Sequence, residues 1–178
     1  RENLFRVALQ VDSILEVGFN AGHSAAVFLY AWAQQRGWGK STSDNWDRAP
    51  LHRSSAKRYV AADICGHAYT RPCFDCLAES YKGYVHMQMI EGDSTKTLER
   101  WDSDAKRSQK EAFSTSPLVQ DCEDEVRAPL MSQGSARASK FDLIHIDGGH
   151  AASIARQDIV NCARFAHEES RLLIDDAE

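Results

Sequence analysis

Five short runs of apolar and β-branched residues punctuate the chain: SILEV (13–17), RYVAADI (58–64), VHMQMI (85–90), FDLIHID (141–147) and RLLIDD (171–176). Helix-compatible segments separate them. Strands joined through helices pair in parallel by right-handed crossovers, so the alternation predicts a Rossmann-like, doubly wound, mostly parallel α/β sheet. The first helix is expected over His23 to Gln35, with Ala26, Phe28, Leu29 and Ala33 on one side and Gly37 and Gly39 beyond its end. A second is expected over Pro72 to Lys82, with proline in the first turn, where a missing N–H is tolerated. A third, after the fourth strand, carries Ala155, Ile159, Cys162, Ala163 and Ala166 as a stripe suited to packing on a sheet.

At 178 residues, 43% hydrophobic and 26% charged, the chain reads as one soluble domain over 1–178. Its net charge of −5 opposes nucleic acid or an anionic membrane as partner and favours a small or neutral substrate. No run approaches the roughly 18 apolar residues of a membrane span, and the N-terminus does not resemble a signal peptide. Five unevenly spaced cysteines read as reduced thiols, pointing to the cytoplasm. The chain opens at Arg1 and stops at Glu178 just after an apolar strand, so a fragment is expected. Two polar, turn-rich or Ser-rich stretches, 37–57 and 102–140, read as insertions, either functional lids or disordered segments. The acidic run DCEDE inside the second reads as a solvated face.

The stretch EVGFNAGHS (16–24) lies where the first strand turns into the first helix. In an open parallel sheet that is where ligands bind, facing the amides of a helix N-terminus. A triphosphate-binding loop would carry a lysine here, and none is present. The dinucleotide fingerprint would place glycines where Gly18, Asn20 and His23 stand. Both ligand classes are disfavoured.

The actual pattern, Glu16 followed by Gly18, Gly22 and Ser24, resembles motif I of class I S-adenosylmethionine-dependent methyltransferases. It is most similar to the metal-dependent catechol-type O-methyltransferases and their relatives acting on natural-product sugars. The resemblance implies that Gly18, Asn20 and Gly22 lie against the cofactor. The helix N-terminus and Ser24 would bind its carboxylate, and Glu16 would face its ammonium group. It implies a ribose-binding role for Asp63 and an adenine-contacting turn at Asp93 and Ser94, the latter also a candidate helix cap. His67 and Tyr69 are expected to line the nucleoside or acceptor pocket.

Asp147, Asp175 and Asp176 end neighbouring strands on one edge, and carboxylates gathered there favour a hard cation. In the resembled enzymes these places hold Mg²⁺, which grips the acceptor oxygens; separate strand-end aspartates serving as helix caps are the alternative. His150 stands three residues after Asp147. The resemblance implies a general base there, with metal ligation or helix initiation as alternatives. The function implied is in-line methyl transfer from S-adenosylmethionine to a hydroxyl of a small acceptor. The other readings are a metal-independent N- or O-methyltransferase and an inactive cofactor-binding or scaffold domain. Cys65, His67, Cys73 and Cys76 raise a structural zinc, although Cys73 and Cys76 equally fit one helix face. The antiparallel strand pair that completes the sheet in the resembled family has no counterpart in this sequence.

Overall fold

The computed structural model describes residues 2–35, 57–101 and 140–175. Both insertions lie outside the described residues except for Lys57 and Lys140, and Asp176 lies outside them as well. The elements run α1 (Glu2–Ala8), β1 (Ser13–Val17), α2 (His23–Gln35), β2 (Lys57–Asp63), α3 (Thr70–Ser80) and β3 (Val85–Glu91). A helix over 94–101, α4, comes next, followed by β4 (Phe141–Ile146), α5 (Ala152–Cys162), a 3-10 turn (Ala163–Phe165) and β5 (Ala166–Ile174).

The five strands form one parallel sheet in the order β3-β2-β1-β4-β5. This is the predicted doubly wound α/β architecture. The chain starts at the centre, winds out to β3, then crosses to β4, so the strand order reverses at β1. The ladder continues one residue past the strands: Gly18 N–H donates to Ala62 O and Asp147 N–H to Val17 O, both at 2.8 Å. Gly92 N–H likewise reaches Asp63 O at 2.8 Å, and Asp175 N–H reaches Ile146 O at 3.0 Å. Those bonds level the C-terminal ends into one rim.

Strand residues alternate between two cores because successive side chains point to opposite faces. Ile14, Tyr59, Ala61 and Leu143 pack with Phe28, Leu29 and Trp32 of α2, and with Phe74 of α3. Leu15, Val17, Val60, Ile144 and Ile146 pack on the other side with Leu98 of α4, Cys162 and Phe165. Fully burying Phe28 or Leu29 contributes about 1.5–3 kcal/mol each. Burial also pushes the Cys162 thiol up to about 12, which makes it an inert core residue.

Several elements differ from the sequence reading; α3, for one, runs Thr70–Ser80 rather than Pro72–Lys82. Helix α1 carried no strong signal in seven residues; tertiary bonds fasten it, as Trp32 Nε1–H donates to Ala8 O at 2.8 Å and Val11 O at 3.0 Å. Strand β5 begins at Ala166, not at Arg171, which removes Ala166 from the helical stripe, and α5 ends at Cys162, which leaves Ala163 in the 3-10 turn. Its first half, HEES, is polar and bulged: Phe141 pairs with Ala166, but Leu143 pairs with Arg171. Side chains hold that bulge, with Ser170 Oγ donating to Phe141 O at 2.6 Å and accepting from His167 N–H at 2.7 Å. Lastly, Lys57 is not part of the insertion but opens β2, its ammonium donating to Val11 O and Asp12 above the Trp32 ring.

Candidate active site

The rim carries two adjoining cavities. The larger, about 500 Å³, lies over β1, β2 and β3 and the loop after β4; Gly18, Asp63, Asp93, Ser94 and His150 line it. The smaller, about 390 Å³, lies between α1, the start of α2 and the ends of β4 and β5; Leu4, Ser24, His145 and Asp175 line it. Asn20 and Asp147 line both and form the wall between them.

The turn after β1 is built for this position. Gly18 has φ +90° and Gly22 φ +76°, conformations that favour glycine. A Cβ on Gly18 would collide with the Asp147 carbonyl, and one on Gly22 with the Phe19 ring. The demand for glycine at both therefore comes from the protein's own packing as well as from the turn. Asn20, at φ +52°, is pinned from two sides: its N–H donates to Asp63 Oδ2 at 2.8 Å, and its Oδ1 accepts from the Tyr69 hydroxyl at 2.8 Å. The other Asp63 oxygen accepts from Cys65 N–H at 2.6 Å, so this one carboxylate fixes the turns after β1 and β2. His67 stacks flat on Tyr69, with ring centroids 5.0 Å apart.

At the far end of the larger cavity, Asp93 Oδ1 accepts from the Thr95 hydroxyl at 2.6 Å and from Thr95 N–H at 3.1 Å. Those bonds, with Lys96, hold the Asp93 carboxyl below its ordinary range. Asp93 thus caps α4. Ser94, the expected cap, instead gives its hydroxyl proton to Asp158.

Beneath the smaller cavity lies a polar cluster on the α2 face of the sheet. Glu16 is fully buried and lines neither cavity; its carboxylate accepts from the hydroxyls of Ser24 and Tyr59 and meets His145 Nδ1 at 2.9 Å. Glu16 and His145 are register partners on β1 and β4, which places them side by side. Phe28 packs edge-on to the His145 ring. Burial works against protonation of His145, but the bond and charge of Glu16, reinforced by Asp147 and Asp175, outweigh it and raise its pKa. The Asp147 carboxyl is pushed up as well, first by burial and then by the Asp175 charge, against the opposing pull of His145 and His150. Burial, followed by Glu16, drives the Tyr59 phenol well above its ordinary value.

The predicted site residues therefore divide. Gly18, Asn20, Asp63, Asp93, Ser94, Asp147 and His150 come together around the larger cavity. Ser24 and Asp175 join Asn20 and Asp147 around the smaller one. His150 is not grouped with Asp175. Helix α5 starts at Ala152, beyond His150, so His150 does not initiate it. No three His, Cys, Asp or Glu side chains are clustered to hold a metal among the described residues, which include Asp147 and Asp175 but not Asp176. The zinc alternative finds no such cluster in Cys65, His67, Cys73 and Cys76 either.

The sequence reading missed His145, Asn3 and Leu4 as lining residues. A histidine inside an otherwise apolar strand was the available signal for the first. Nothing local marks the other two, because α1 is brought there by packing.

An open parallel sheet with its cavities at the strand-order reversal defines a Rossmann-like α/β protein, a class that binds ligands at this rim. Across residues 15–177 the chain matches the methyltransferase domain family, and it belongs to that family. The family implies S-adenosylmethionine as the methyl donor. No curated protein matches the chain. No helix among the described residues is long and apolar enough to cross a membrane.

Proposed function

We propose that this chain is an O-methyltransferase acting on a small hydroxylated acceptor, with the cofactor's nucleoside in the larger cavity and the acceptor in the smaller. The single observation that carries the reading is the wall shared by the two cavities at Asn20 and Asp147. A methyl group handed across it would pass between two separately bound molecules held at one rim, and such transfer needs alignment more than covalent help.

The larger cavity fits the cofactor's chemistry. Asp63 retains acceptor capacity toward a ribose, since each of its oxygens accepts one bond from the protein and a carboxylate oxygen takes about two. Gly18 brings backbone close. Ser24 has committed its proton to Glu16, so its oxygen presents lone pairs to the smaller cavity, where it would accept from the cofactor's ammonium. Glu16 then acts on that group through Ser24. When bound, the cofactor supplies an electrophilic sulfonium methyl.

Asp147 and Asp175 are two acids of like charge at one cavity; burial first, and then the Asp175 charge, push the Asp147 carboxyl up. A divalent cation relieves such repulsion, and Mg²⁺ favours oxygen donors. Asp147, Asp175 and Asp176 would hold it, and it would supply Lewis acidity at the acceptor hydroxyl. His150, three residues after Asp147, lines the larger cavity rather than the acceptor's, so it would receive the hydroxyl proton across the shared wall at Asp147. His145, gripped by Glu16, would keep the neighbouring wall in place. Four described cysteines are free thiols, which supports a reducing, cytoplasmic setting.

Incubation with methyl-labelled S-adenosylmethionine and a panel of catechols, sugars and other hydroxylated compounds, with Mg²⁺ or with chelator, tests the reading. Label in a hydroxyl ether that falls on chelation supports it in full. Transfer that chelator leaves untouched removes the metal. Label on nitrogen only, or cofactor binding with no transfer to any compound, overturns it.

A further inference from the structure

Helix α5 follows the loop that bears Asp147 and His150, yet its polar residues reach back to a different turn. Asp158 is fully buried; its Oδ1 accepts from the Ser94 hydroxyl at 2.7 Å, and its Oδ2 has no hydrogen-bond partner among the described residues. Three residues on, hence on the same helix face, Asn161 is buried too and donates through Nδ2 to Thr95 O at 2.9 Å and Ser94 O at 3.4 Å. Gln157 in turn donates to Asn161 Oδ1 at 3.1 Å. The turn at 93–95 is thus held from beneath by one face of α5.

A buried carboxyl oxygen without a partner is costly, and shape-matched apolar side chains would pack there at less cost. Burial also pushes the Asp158 acid up, against the pull of the Ser94 bond. What Asp158 obtains for the site is polarity. A serine hydroxyl has a single proton. Ser94 gives it to Asp158, so the oxygen has only lone pairs left for the cavity that Ser94 lines.

We infer that Asp158 is a positioning residue that fixes Ser94 as a hydrogen-bond acceptor in the larger cavity, at the turn that the motif resemblance sets against the cofactor's base. The site thereby selects a purine carrying an exocyclic amino group over its 6-oxo counterpart. The inference rests on the cofactor reading of that cavity. An amino group donates to the Ser94 lone pairs; a 6-oxo group would set acceptor against acceptor, leaving both unpaired.

The test is calorimetric binding of S-adenosylhomocysteine and S-inosylhomocysteine to the full chain and its variants. The unaltered chain should prefer the adenosyl compound by about tenfold, the worth of one such bond in a buried site. Asp158→Leu keeps the branched shape without an acceptor and frees the Ser94 proton to turn toward the ligand. The preference should then shrink to about threefold or less, mainly because the inosyl compound gains. Asp158→Ala gives the same reading should the leucine variant not fold. Asp158→Asn retains a carbonyl oxygen for Ser94 and should restore the tenfold preference. An unchanged ratio in Asp158→Leu and Asp158→Ala, or an equal loss for both ligands, overturns the inference, as does equal binding of both by the unaltered chain. Failure of the unaltered chain to bind either compound overturns the cofactor reading itself, and the inference with it.

Discussion

The two cavities meet at one wall but are built in different ways. The larger is framed by turns: Gly18 and Asn20 in left-handed conformations, Asp63 clasping two backbone N–H groups, Asp93 capping a helix. The smaller is framed by side chains from distant elements, with Leu4 from α1, Ser24 from α2 and the acids of β4 and β5, over a floor of buried polar groups. Backbone geometry varies little with the ligand's decoration, whereas a side-chain enclosure can be recut residue by residue. On the proposed reading, the nucleoside side is rigid by construction, and the acceptor side is where specificity would be set.

The largest break in this contrast should come from Gly18→Val. A β-branched residue at φ +90° is strained by about 1–3 kcal/mol, and its Cβ also strikes the Asp147 carbonyl. Both cavities would distort together, so S-adenosylhomocysteine affinity measured by calorimetry should fall by about 100-fold or more, and acceptor turnover with it. Glu16→Gln strikes the floor of the smaller cavity alone. Its amide must turn an NH₂ group toward at least one of the donors Ser24, Tyr59 and His145, at a cost of about 2–3 kcal/mol in a thermal unfolding experiment.

Asp175→Ala sharpens the contrast from the acceptor side. Mg²⁺-dependent turnover should drop by about tenfold or more while S-adenosylhomocysteine affinity stays within about twofold. A parallel fall in affinity would show that the two compartments are not functionally separate.

The smallest effect is expected at the opposite edge of the sheet. There Asp142 accepts from Asp12 N–H, the Ser13 backbone and hydroxyl, and His167. Burial raises its pKa, but those bonds outweigh it and leave the carboxyl below its ordinary range. A depressed acid stabilises the fold above its unfolded pKa of about 3.9 and loses that contribution as the pH falls through the lower folded value. Asp142→Asn should therefore cost about 1 kcal/mol at neutral pH, flatten the acid limb of the stability curve below about pH 4, and leave both ligand affinities alone.

The same division governs what could be read from sequence. SILEV and the helix over His23 to Gln35 stand where expected because each announces its own period and boundaries. The residues of the larger cavity sit in turns next to strand ends, and the motif resemblance points to Gly18, Asp63 and Asp93 among them. Strand β5 began early because HEES has no apolar alternation and is held by the hydrogen bonds of Ser170 and His167. His145 and Asp158 escaped for a related reason: each is defined by a partner far off in sequence, Glu16 and Ser94 respectively. A histidine in a strand or an aspartate in a helix does not reveal its partner until the chain is folded.

The close approach of Gly18 to Asp147 carries a consequence for how such a protein can change over generations. With no room for even a methyl group on Gly18 against the Asp147 carbonyl, Gly18 cannot accept a larger residue unless the backbone after β4 moves in the same step. If the two cavities hold donor and recipient as proposed, each can diversify outward through its remoter walls, while the seam that joins them would be inherited as a single piece.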